Sequence, residues 1–129
     1  MTTPYTLKKL TDVEDSALKF GMADFQEARF AGDDLDAEHT GLSLHSVKAG
    51  QRQPFAHKHD EAEEVYVVLA GSGRVKLDDD IVGIEKLDAI RVSPGVIRAF
   101  EADDNGLQLL AFGPRHKGDG EVIQGWWSD

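Results

Sequence analysis

Two histidines separated by one residue, His57 and His59, stand five positions before Glu64. Successive side chains of a strand alternate between faces, so His57 and His59 project from the same one. Glu64 opens the apolar run that follows. Two imidazoles and a carboxylate converging from adjacent strands are a ligand set for a divalent transition metal such as Fe, Mn, Zn, Ni or Cu. Three protein ligands leave coordination positions open to substrate, water or oxygen. The plainer alternative makes the histidines strand-filling or surface residues and Glu64 one more acid beside Asp60, Glu61 and Glu63. Tyr66 shares the face of Glu64 and either lines the same pocket or packs in the core. His45, on the preceding strand, reads as a supporting or surface histidine. His39 and His116 fall in loop segments and are assigned no role.

The elements that must position these residues are strands. Residues 42–47 (LSLHSV), 55–59 (FAHKH) and 64–71 (EVYVVLAG) carry the side-chain types that favour pleated backbone. GRVKL, IVGIE, AIRVS, IRAF and LQLLAF continue the series. The breaks KAGQRQP, DDD, Pro94-Gly95 and DDNG recur about every 8–12 residues, as in an all-β sandwich or barrel. Residues 25–30 form an earlier strand, followed by a turn at GDDLDAEH. Residues 11–19 suit a short helical turn with Thr11 as its N-cap and Glu14 three residues on. Nothing after residue 20 has helical periodicity. Gln108, on the last strong strand, is a polar candidate for a ligand contact if it faces inward. The polar tail ends in Trp126 and Trp127, which suit packing onto the barrel or a partner subunit.

With 129 residues, 40% of them hydrophobic, the chain suits one domain with one core. It has no cysteine, which excludes disulfides and Cys-ligated zinc or iron–sulfur sites. The N-terminal segment has no signal-peptide-like apolar stretch, and no run is long enough to span a bilayer, so the chain reads as soluble and cytoplasmic. A formal net charge of -10 opposes binding to nucleic acid or anionic lipid. No nucleotide-binding loop or nucleophile elbow is present.

Residues 50–71, GQRQPFAHKHDEAEEVYVVLAG, resemble the first motif of the cupin superfamily. Gly50 is followed by six residues, His57-Lys58-His59, four residues, Glu64, six residues and Gly71. The first gap exceeds the family's by one residue. Residues 87–100, LDAIRVSPGVIRAF, resemble the second motif. Gly95 occupies its place, and Asp88, Val92, Pro94 and Phe100 match common neighbours. Leu87 stands where glycine is usual, Ser93 where proline is, and Arg98 where the last histidine ligand would be. The resemblance spans about residues 40–113. It implies an all-β double-stranded β-helix, a jelly-roll barrel with an internal pocket. A short irregular N-terminal segment (arm and strands, 1–39) and a tail (114–129) complete a single domain over residues 1–129. Cupins are commonly dimers, so the resemblance also implies a homodimer.

Arg98 cannot replace a histidine ligand, because guanidinium has donors only and stays protonated. His57, His59 and Glu64 could hold a metal as a two-His, one-carboxylate set. Alternatively, a bidentate Arg98–Glu64 bridge consumes the carboxylate and leaves the pocket metal-free. Three functions follow. The first is a metal-dependent enzyme, an oxidoreductase or isomerase acting on a small organic molecule. The second is a metal-free module or sensor for a small anion held by Arg98, His57 and His59, with Tyr66 and Gln108 as further candidate ligand contacts. The third is a metal-independent isomerase or epimerase with a histidine as general base. The fold hosts many activities and does not choose among them.

Overall fold

Strand alternation accounts for most of the architecture. In EVYVVLAGSGRVKL, Tyr66, Val68 and Val75 are buried while Val67 and Arg74 between them are more exposed. One face of that strand is therefore inside a barrel. The computed structural model describes residues 4–116 and 118–128. It contains eight strands: β1 (Gln26–Phe30), β2 (Thr40–Val47), β3 (Phe55–His59), β4 (Glu64–Leu77), β5 (Asp80–Glu85), β6 (Ala89–Val92), β7 (Arg98–Pro114) and β8 (Gly120–Gln124). They form one antiparallel sheet with the path β1-β2-β7-β3-β8, and β4 pairs with β5, β6 and β7. The sheet curls on itself as a jelly roll, the all-β arrangement expected. No helix among the described residues is long and apolar enough to cross a membrane.

Two expected strand boundaries, one of them the DDNG turn, have a different form. GRVKL continues EVYVVLAG without a break, and IRAF and LQLLAF belong to one strand, β7. Gly71 pairs with Leu107 and Gly73 with Ala102, so the DDNG residues 103–106 all lie opposite Ser72. They form a bulge, not a hairpin. The Ser72 hydroxyl donates to one oxygen of Asp103, and the other accepts the Asn105 N–H at 3.0 Å. Gly71 has φ 76°, and a Cβ there would lie 1.9 Å from the Gly106 carbonyl oxygen. Only glycine allows this close approach.

The helical turn near the N-terminus also differs. A 3-10 turn spans Leu10–Asp12, and the short helix α1 spans Ser16–Lys19. Its cap is Asp15, not Thr11. Asp15 Oδ1 accepts the N–H of Ala17 at 3.0 Å and that of Ala28, on β1, at 2.9 Å. One carboxylate thus both starts α1 and ties it to the sheet.

The tail holds a strand that its polar sequence concealed. β8 pairs with β3 from Phe55↔Gln124 to His59↔Gly120. Beyond it, Trp127 is 8% exposed and packs with Ala56 and Ala99, while the Arg52 guanidinium stacks 4.2 Å from its ring. The Lys76 ammonium lies 4.4 Å from the Trp126 ring. Both tryptophans therefore anchor the tail to its own barrel.

Candidate metal centre

β3 and β4 bring the candidate ligands together. On β3, Ala56 faces outward onto Trp127, which turns His57 and His59 to the inner face. On β4, Glu64 and Tyr66 share the inner face. His57 Nε2 lies 3.6 Å from Glu64 Oε1, and His59 Nε2 lies 3.7 Å from the same oxygen. The imidazoles meet edge-on with centroids 5.4 Å apart. One ligand atom from each of His57, His59 and Glu64 falls within 4.8 Å of the others. Nitrogen and oxygen ligands sit about 2.0–2.2 Å from a divalent transition metal, so two ligands on one ion are about 3 Å apart.

Arg98 is fully buried, at 0% exposure. It donates from Nη2 to Glu64 Oε1 at 2.7 Å, from Nε to the Tyr66 hydroxyl at 3.1 Å and from Nη1 to the Val96 carbonyl at 2.9 Å. The Arg98–Glu64 bridge thus exists, through one nitrogen and one oxygen instead of the expected bidentate pair. The Tyr66 hydroxyl also donates to Glu64 Oε1. The Arg98 and Tyr66 hydrogen bonds thus fall on the same oxygen, Oε1. One carboxylate oxygen is committed to Arg98 and Tyr66, and the other remains for a cation. The donor set fits a metal on that account, with Arg98 neutralising the committed half of the carboxylate.

These contacts set the protonation states. Burial would raise the Glu64 pKa, but the neighbouring His57 imidazole and the hydrogen bonds from Tyr66 and Arg98 outweigh it and hold the carboxyl well below its usual range. Burial, reinforced by the Glu64 charge, pushes the Tyr66 phenol well above its usual value. Burial lowers the His59 pKa; Glu64 opposes the shift, and Arg98 and His57 add to it. The Tyr66 oxygen lies 3.2 Å from His57 Nε2. The phenol's single proton goes to Glu64, so a hydrogen bond to His57 needs the proton on Nε2. A metal at Nε2 would replace that proton.

The cluster lies on the wall of a cavity of about 660 Å³, within the usual range for small-molecule sites. Its walls are mainly apolar. Tyr66, Phe100, Leu109 and Ala111 belong to both the cavity wall and the packed core, so the core forms the cavity floor. Phe20, Phe30 and Val122 also line it while remaining largely exposed.

Two expected ligand contacts lie elsewhere. Gln108 sits between the buried Leu107 and Leu109 and so faces the opposite side of β7, where its amide donates to Ser46 Oγ at 3.3 Å. Arg98 is not in the cavity wall; it lies behind Tyr66 and Glu64 with its donors turned to protein, which removes it as a direct contact for a bound anion. Tyr66 does line the cavity.

Two residues gain importance. His45 lines the cavity, bonds Ser43 Oγ through Nε2 at 2.8 Å and meets the Phe30 ring edge-on. Burial, then the neighbouring His57, lowers its pKa to about 4 against a weaker pull from Glu64, and keeps it neutral. Asp119, in the tail, accepts the N–H groups of Asp60, Glu61 and Ala62, each at 3.0 Å. These bonds fasten the loop between β3 and β4. Asp119 carries no motif signal, and its partners lie almost sixty positions away in sequence.

Neither a protein-family model nor a curated protein sequence matches the chain. Solved structures do. A cupin protein from Bacteroides fragilis is similar at 20% identity and TM-score 0.72, over 98% of this chain and 93% of that one. A polyketide cyclase from Streptomyces resistomycificus is similar at 20% identity and TM-score 0.73, over 96% and 87%. A sugar phosphate isomerase of the cupin superfamily from Silicibacter pomeroyi is similar at 14% identity and TM-score 0.70, over 93% of each chain. The chain has the cupin fold, a double-stranded β-helix. Proteins of several unrelated activities share it, so function must be argued from the site.

Proposed function

We propose that the chain binds a small, mainly apolar organic molecule in the barrel cavity, beside a divalent transition metal held by His57 Nε2, His59 Nε2 and Glu64. The observation that carries this reading is the convergence of three ligand atoms within 4.8 Å on a cavity wall. When bound, the metal would supply Lewis-acid polarisation of an oxygen function on the molecule. Arg98 holds Glu64 ionised and in place. The phenol of Tyr66 stays protonated and orients the carboxylate. The apolar walls exclude water from the bound molecule, which strengthens every polar interaction at the cluster.

The sealed position of Arg98 argues against a module built to bind anions through it. One metal-independent reading has a specific observation in its favour. His59 lines the cavity with Nε2 turned toward Glu64, where an unprotonated nitrogen could take a proton from a bound molecule.

Thermal unfolding of chelator-treated protein with added Mn, Fe, Ni, Cu or Zn separates the two. One of these ions at 100 times its Kd should stabilise wild type by about 2.7 kcal/mol and leave His57→Ala unaffected. Equal shifts in both proteins would contradict the proposed centre.

A further inference from the structure

We infer that Asp119 is a positioning residue for His59, fixing which of its ring nitrogens carries the proton and so keeping Nε2 free for a cation. This deepens the proposed function and rests on it.

Three observations support the inference. First, the two nitrogens of His59 have different surroundings. Nε2 points toward Glu64, at 3.7 Å. Nδ1 is buried, has no hydrogen-bond partner among the described residues and lies 3.5 Å from Asp119 Oδ2. A carboxylate accepts and never donates, so the favourable arrangement beside it puts the proton on Nδ1. Nε2 then presents a lone pair to the cavity. His57 is arranged differently, since its Nε2 faces the Tyr66 oxygen.

Second, Asp119 is itself held in place. Its side chain is 6% exposed, and three backbone N–H groups of the loop between β3 and β4 donate to it. All three donors point at its oxygens, as they would at a carboxylate, and the same side chain faces His59. Third, the next residue, Gly120, pairs with His59, and a Cβ there would lie 3.5 Å from His59 Cε1 and 3.7 Å from Nδ1. The start of β8 therefore runs beside the Cε1–Nδ1 edge of the ring. Outer carboxylates of this kind fix the tautomer and orientation of metal-binding histidines, and their loss typically lowers metal affinity about 10–100-fold.

Asp119 also offsets charge. Arg98 adds one positive charge to a site whose ligand set holds a single negative one, and Asp119 restores the balance from behind His59.

The test is Asp119→Asn, which keeps one oxygen for the N–H groups of Asp60 and Glu61, gives up the oxygen that accepts from Ala62, and turns an uncharged amide toward Nδ1. Nitrogen-15 NMR of the metal-free protein reads each imidazole tautomer directly. Wild type should show His59 protonated on Nδ1. Asp119→Asn should move that proton to Nε2 while the His57 signals stay in place, and Mn or Zn affinity should fall about 10–100-fold. Asp119→Glu should restore part of both. A wild-type His59 protonated on Nε2, or a tautomer unchanged in Asp119→Asn, would overturn the inference. Wild type that shows the Nδ1 tautomer yet takes up neither metal would sustain the positioning role and overturn the proposed function instead.

Discussion

Replacing Arg98 by Met tests the charge arrangement at the site. Arg98 is 0% exposed and donates to Glu64 at 2.7 Å, Tyr66 at 3.1 Å and Val96 at 2.9 Å. Methionine fills much of the space with an apolar chain but leaves the Glu64 carboxylate without its counter-ion. Breaking a buried pair on one side costs about 3–5 kcal/mol, because the remaining charge is stranded. Glu64 keeps 19% side-chain exposure and the Tyr66 hydrogen bond, so the lower end, about 3 kcal/mol, is expected. For a chain of 129 residues this lowers Tm by about 10–15 °C. Equilibrium urea unfolding at pH 7 measures it. Because Glu64 has a depressed pKa in the folded state, its contribution is present above the unfolded carboxyl pKa and lost as pH falls through the folded value. The difference between wild type and variant should therefore shrink in acid. Adding Glu64→Leu to Arg98→Met removes both charges and should recover at least half of the loss. A single variant within about 1 kcal/mol of wild type would refute the reasoning, since surface pairs contribute only that much.

Other outcomes follow from the same structure. The unfolded chain protonates His45 near pH 6.5, whereas the folded chain does so only near pH 4. The unfolded state thus binds more protons between those values, and stability should rise with pH from 4 to 6.5 by about 3 kcal/mol before levelling off. His45→Gln should flatten that slope in a pH series of urea titrations, with the part due to His59 remaining; an unchanged slope would show that His45 is not held neutral. Gly71→Ala places a methyl 1.9 Å from the Gly106 oxygen at φ 76°, so it should cost well over about 1 kcal/mol and lower the thermal midpoint clearly. A midpoint within a degree of wild type would mean that the bulge at 103–106 is not packed as described.

How far the sequence disclosed this arrangement depended on the range of each interaction. His57, His59, Glu64 and Tyr66 were legible because strand alternation is local: two residues on, the same face returns. Arg98 was legible in position but not in role. Its register pointed inward, yet whether its donors reach the cavity or the protein depends on packing behind Tyr66. Gln108 was misread as a ligand contact because either parity was open until Leu107 and Leu109 took the inner face of β7. The DDNG segment carried a turn signature, but the ladder continues on both sides of it, and the close approach of the Gly71 and Gly106 backbones makes it a bulge within one strand pairing. β8 gave little signal, since GEVIQ is short and largely exposed and is held by its pairing with β3. Asp119 escaped for the same reason: its bonds to the loop at 60–62 are entirely non-local.

The most direct measurement for the central claim is the metal content of untagged protein by plasma mass spectrometry, for wild type and His57→Ala, after exposure to Fe, Mn, Zn, Ni and Cu. The account predicts about one first-row metal per chain in wild type, matching the one such cluster among the described residues, His57, His59 and Glu64, and its loss in the variant. Wild type that retains none of these metals, or a variant that retains as much as wild type, would contradict it.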